Sequence, residues 1–221
     1  MLLVSGASLP TTSTSLYPAE SDLLAVTELP TWIDRNFLRM DPYAFNSTEG
    51  NLFPEFVLDA AQAFDVDPNG IYCIGSGAIG LSLNPTNVQL GHLKAFAGTS
   101  DLDVAVISQF HFDQAWRDLR VLAHTAYTPS TSNSLRDKLD HQRSRLFDGA
   151  IVANKLMARL TFGAQWHPHR LRLQLEWCDR LNLRGHVNLW IYRDYWSVRS
   201  YVAEGIQKCM EKLRSFDDDS V

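Results

Sequence analysis

The segment from Ile71 to Ile107 constrains this chain more than any other. An apolar run, Ile71 to Ile74, stops at Gly75-Ser76, and a second apolar run, Val104 to Ile107, is entered through Asp101-Leu102-Asp103. Short apolar runs bounded by turn residues read as buried strands. Side chains alternate along a strand, so Asp101 and Asp103 share one face if Leu102 to Ile107 is extended. Two carboxylates projecting together from a rigid sheet suit a hard divalent cation. Mg²⁺ takes only one or two protein carboxylates and leaves room for substrate phosphates. The Gly-Ser turn adds backbone N–H groups and a hydroxyl that suit a phosphate chain. Taken singly, an Asp-x-Asp is most often a solvated turn, and Gly-Ser-Gly an ordinary one. The order strand, Gly-Ser, strand with paired acids is what carries information.

The remaining chain supplies helices around these strands. Phe53, Phe56, Val57, Ala60, Ala61 and Phe64 recur at helical spacing, and Asp67-Pro68-Asn69-Gly70 ends that helix. Leu29 to Met40 reads as a short helix with Pro30 near its start. Asp113 to Tyr127 reads as a helix with Trp116, Leu119, Val121 and Leu122 as its apolar contacts. Leu135 to Leu160 reads as one helix, capped by Asn133 or Ser134, charged early and apolar late. Trp166-His167-Pro168-His169 reads as a turn before a helix from Arg170 to Leu181; the histidines lack a partner pair at metal spacing. His186 to Tyr192 is a third strand, and Val198 to Leu213 a closing helix before an acidic tail. Residues 1–22, which include TTSTS, read as a loose arm, and 23–221 as a single domain with its core in 50–110 and 185–213. The expected fold class is α+β: a small mixed sheet carrying the Gly-Ser and Asp-x-Asp motifs, flanked by helices.

IYCIGSGAIG followed by TSDLDVAVIS resembles the signature of the nucleotidyltransferase superfamily, the DNA polymerase beta-like fold. That signature is an apolar strand, Gly-Ser, a helix, then Asp-x-Asp on the next strand. The resemblance implies a metal-dependent transferase that moves a nucleoside monophosphate from a nucleoside triphosphate to an acceptor, with release of pyrophosphate. Asp101 and Asp103 would be catalytic and would hold Mg²⁺ or Mn²⁺, while Gly75 and Ser76 would grip the triphosphate. The acceptor would be a nucleotide, an RNA end or a protein. Superfamily members act in bacterial toxin–antitoxin and antiphage systems, so the resemblance also implies a place in antiviral defence. A protein partner or a homo-oligomer is compatible with that role.

The chain departs from the pattern in two places. First, 24 residues separate Ser76 from Asp101, much more than the resemblance implies. The extra length reads as an inserted loop in which Lys94 is a nucleotide-binding candidate, although a solvated lysine is the commoner case. Second, the superfamily adds a third carboxylate from a later strand, and Asn188 stands at that position. Asparagine coordinates through its carbonyl oxygen but brings no charge, so Asn188 is the candidate third metal ligand. Three options follow: another acid such as Asp194 or Glu176 fills the role, one strong cation position suffices, or the fold persists as a binding or regulatory subunit of a larger complex. A separate reading makes SDLD an ordinary turn, with the two aspartates on opposite sides of a bend away from Ser76.

Charge and cysteine content narrow the setting. A net charge of −5 and a pI near 5.8 do not favour broad duplex binding, which rests on excess Lys and Arg. Arg143, Arg145, Arg170 and Arg172 are weak phosphate candidates against a solvated helix face. Cys73, Cys178 and Cys209 are odd in number and form no CxxC, so they read as reduced and buried. The opening MLLVSGASLP lacks a basic leader, and no stretch approaches the ~20 apolar residues that cross a bilayer. The expectation is a cytoplasmic protein with no membrane partner.

Overall fold

The computed structural model describes residues 16–47, 50–126 and 132–218. Residues 1–15 of the expected arm, Tyr127 of the expected helix, residues 128–131, and residues 219–221 of the tail lie outside them. In chain order the elements are α1 (Glu20–Leu24), α2 (Leu29–Asn36), a short hairpin of β1 (Asn46–Ser47) and β2 (Gly50–Asn51), α3 (Phe53–Phe64), β3 (Ile71–Ile74) and α4 (Ser76–Ile79). Then come β4 (Leu102–Ile107), α5 (Gln109–Ala126), α6 (Asn133–Phe147), β5 (Ala150–Val152), α7 (Ala153–Leu156), α8 (Gly163–Arg180), β6 (Val187–Tyr192) and α9 (Tyr195–Asp218).

The fold is α+β, with a mixed four-stranded sheet in the order β3-β4-β6-β5. β4 runs antiparallel to β3 and parallel to β6, and β5 is antiparallel to β6. Ile74 lies opposite Asp103, and Asp103 opposite Asn188. Strand alternation builds two cores. Ile71, Cys73, Leu102, Val104, Val106, Leu189 and Ile191 pack with Phe56, Phe64, Leu119, Trp166 and Trp177 from α3, α5 and α8. Ile74, Ala105 and Tyr192 pack with Ile33 of α2 and with Val198, Val202 and Ile206 of α9. Helices thus cover both faces, which is why these strands read as nearly continuous apolar runs. Asp103, Asn188 and Trp190 belong by parity to the α9 side. There the apolar layer gives way to polar groups.

Several local expectations are corrected. The single helix from Leu135 to Leu160 is broken: α6 ends at Phe147, Gly149 takes φ +71°, and Ala150–Val152 becomes an edge strand on β6. A left-handed glycine just past a helix end is the usual stop. Ile151 and Val152, both β-branched, are buried in the sheet. The cap of α6 is Ser132, without a side-chain hydrogen bond, rather than Asn133 or Ser134. The histidine segment is not a turn; Pro168 lies inside α8, where buried Trp166, Leu173 and Trp177 outweigh the lost backbone bond. On α5 the buried stripe is Phe112, Ala115 and Leu119, whereas Trp116 and Val121 are 39% and 68% exposed. The closing helix is longer than expected, from Tyr195, and Asp194 accepts from the Ser197 N–H at its start (2.8 Å). The three cysteines are buried and unpaired. No helix among the described residues is long and apolar enough to cross a membrane.

Candidate active site

The site is built where β3 turns away from β4. Gly75 has φ +66° and ψ −153°, a conformation open in practice only to glycine. It is also crowded: a Cβ at this position would lie 2.6 Å from Asp103 Oδ2. Gly75 therefore lets the chain turn into α4 directly over the Asp103 carboxylate. Ser76, the first residue of α4, lines the same cleft as both aspartates. Asp101, just before β4, accepts from the His186 N–H through Oδ1 (2.8 Å). Asn188 Nδ2 donates to Asp103 Oδ1 (3.0 Å) and to Asp101 Oδ2 (3.3 Å). The two aspartates converge on one side chain, as their spacing predicts. This overturns the reading that set them on opposite sides of a bend, away from Ser76.

The cleft has a volume of about 820 Å³, within the range of small-molecule sites. Lys94 reaches it from the inserted segment. That segment is anchored: Ser82 N–H donates to the Lys94 carbonyl (2.8 Å), and Leu93 N–H donates to Glu20 of α1 (2.7 Å). Of the four candidate arginines, Arg145 lines the cleft. Its guanidinium lies 5.4 Å from the Trp190 ring centroid, and its Nε is buried without a hydrogen-bond partner. The others are engaged elsewhere: Arg143 with Asp140, Arg170 with the Val187 carbonyl, and Arg172 with Asp59 and Glu176. Neither alternative acid reaches the cleft, since Asp194 caps α9 and Glu176 pairs with Arg172. Trp190, Tyr201 and the Lys208–Glu204 pair complete the walls. Trp190 was legible by alternation, two residues after Asn188. Asn154, which contacts Asn188, lay inside the segment read as helix and gave no signal.

Burial pushes the Asp103 carboxyl up to about 6, with the Asp101 charge adding to the effect and hydrogen bonds from Asn188 and Trp190 opposing it. A carboxyl whose folded value lies above its unfolded value holds its proton more tightly in the native state. Its contribution to stability is present at low pH and is lost as pH rises from about 4 through about 6, by at most about 3 kcal/mol. A divalent cation held by the pair would replace the proton as counter-charge. Added Mn²⁺ is therefore expected to raise Tm more at about pH 7.5 than at about pH 5, read by thermal shift. An equal shift at both would contradict this electrostatic account.

Among the described residues no group of three or more His, Cys, Asp or Glu is placed to hold a metal ion. The donor set is the two carboxylates, which suits one Mg²⁺ completed by phosphate oxygens and water. Asn188 occupies the expected place but turns its amide nitrogen, not its carbonyl oxygen, to the acids. Ligation through that oxygen, the sequence expectation, requires the amide to turn over. Compared with known proteins, the chain matches no family model, no curated protein and no solved structure.

Proposed function

We propose that this chain is a metal-dependent nucleotidyltransferase of the DNA polymerase beta-like type, which moves a nucleoside monophosphate from a nucleoside triphosphate to a hydroxyl acceptor. The observation that carries this reading is the Gly75-Ser76 turn lying directly over the Asp103 carboxylate in a cleft shared with Asp101. In this reading Asp101 and Asp103 hold Mg²⁺ or Mn²⁺, and Gly75 and Ser76 receive the triphosphate. Lys94 and Arg145 offer positive charge to the phosphates that do not react. The bound cation supplies neutralisation of charge at the transferred phosphoryl group. The acceptor is a nucleotide, an RNA end or a protein hydroxyl, and a role in antiviral defence rests on the sequence resemblance alone.

A second reading has one specific observation in its favour. Two carboxylates side by side normally call for a cation, yet here the Asn188 amide donates to both. The pair thus has a hydrogen-bond donor in place of a metal, as a binding or regulatory subunit of a larger complex would need. The discriminating experiment incubates the protein with each of the four ribonucleoside triphosphates and Mg²⁺ or Mn²⁺. Pyrophosphate and the mass of every product are recorded. Metal-dependent pyrophosphate release from at least one nucleotide is expected. Nucleotide binding with no release from any of them favours the subunit reading.

A further inference from the structure

Asn188 is held in one orientation by a relay of amides that begins on the backbone. Leu189 N–H donates to Asn154 Oδ1 (2.7 Å). A backbone N–H only donates, so this contact fixes which end of Asn154 carries its oxygen. Asn154 is left with its nitrogen, and Nδ2 donates to Asn188 Oδ1 (2.5 Å). Asn188 in turn is left with its own Nδ2, which reaches both carboxylates. Turning either amide over would set oxygen against oxygen or nitrogen against nitrogen, so the polarity of the relay is set at its source. Asn154 sits at the start of α7, immediately after β5, and Val152 of β5 is paired with Trp190 of β6. The relay is thus anchored in the sheet at both ends.

An amide NH₂ group has no lone pair to give a cation. Beside Asp101 and Asp103, where an additional oxygen ligand would sit, the Asn188 Nδ2 donor stands instead. We propose that Asn154 and Asn188 form a hydrogen-bond relay that limits the acid pair to a single divalent cation, with Asn154 as the positioning residue. This inference rests on the reading of Asp101 and Asp103 as a cation site. Two substitutions act on it by different routes. Asn188→Asp replaces the donor with a carboxylate. Asn154→Asp still accepts from Leu189 N–H but has no donor for Asn188; Asn188 then turns to donate to residue 154 and presents its oxygen to the acid pair.

The test is the number of Mn²⁺ ions bound per chain, with the metal alone as probe, by equilibrium dialysis with electron paramagnetic resonance of free Mn²⁺. The wild-type chain is expected to bind one ion, and each variant two. A substitution that only loosened the structure would not add an ion. Two ions in the wild type overturn the inference and leave the cation site standing. One ion in the wild type and still one in both folded variants overturns it as well. No Mn²⁺ bound by the wild-type chain overturns the inference and the cation-site reading together.

Discussion

Replacing Asp101 and Asp103 together by asparagine is expected to lower nucleotide transfer by at least about 10³-fold, roughly 4 kcal/mol in the barrier, with the fold intact. Asparagine keeps the shape of each side chain and an oxygen for the bonds from His186 N–H and Asn188 Nδ2. What is lost is charge. With no carboxylate at positions 101 and 103, nothing fixes a hard cation beside the Gly75-Ser76 turn, and that electrostatic contribution to catalysis disappears. Removing the charges also relieves the burial penalty on Asp103, so the cation-free variant should melt no lower than the cation-free wild type at neutral pH. Pyrophosphate release and thermal melting, recorded on the same preparations, check both parts. Undiminished release from the folded double variant would remove the acid pair from the mechanism.

Gly75→Ala is expected to destabilise the protein by about 2–3 kcal/mol and to abolish nucleotide binding. The backbone at Gly75 has a positive φ that alanine rarely adopts, and the added methyl would meet Asp103 Oδ2 at 2.6 Å. Asp103 cannot yield freely, because it is bound to Asn188 and Asn188 is locked to Asn154. The strain therefore falls on the turn, on the carboxylate, or on both, and each belongs to the site. Urea denaturation gives the stability change, and nucleotide titration by calorimetry gives the binding. A variant of wild-type stability that still binds nucleotide would mean that the tight turn is incidental.

Much of this arrangement was legible in the sequence for a simple reason. β3, β4 and β6 are short apolar runs closed by turn residues, and strand periodicity alone assigns Asp101 and Asp103 to one side. The same periodicity places Asn188 and Trp190 together on β6. β5 was not legible. It follows a helix of strong formers, and it exists because Ala150–Val152 completes the edge of β6, a partner far along the chain. Ile151 and Val152 suit a strand, but three residues are too short a run to stand out from the helical pattern before them. Pro168 misled in the opposite sense: a residue that ends most helices is tolerated because α8 buries two tryptophans. Asn154 and Arg145 belong to the region misread as one helix, so the Asn154 contact with Asn188 and the place of Arg145 in the cleft depend on a turn at Gly149 that helical periodicity hides.

In the proposed function the acid pair and the Gly75-Ser76 turn form one cation-and-triphosphate site. The most direct measurement is a crystal structure of the protein with Mn²⁺ and a non-hydrolysable nucleoside triphosphate, located by anomalous scattering. A Mn²⁺ peak is expected at the Asp101 and Asp103 carboxylates, with the triphosphate running from it along Gly75 and Ser76. A nucleotide bound away from this cleft, or Mn²⁺ absent from these carboxylates at saturating concentration, would contradict it.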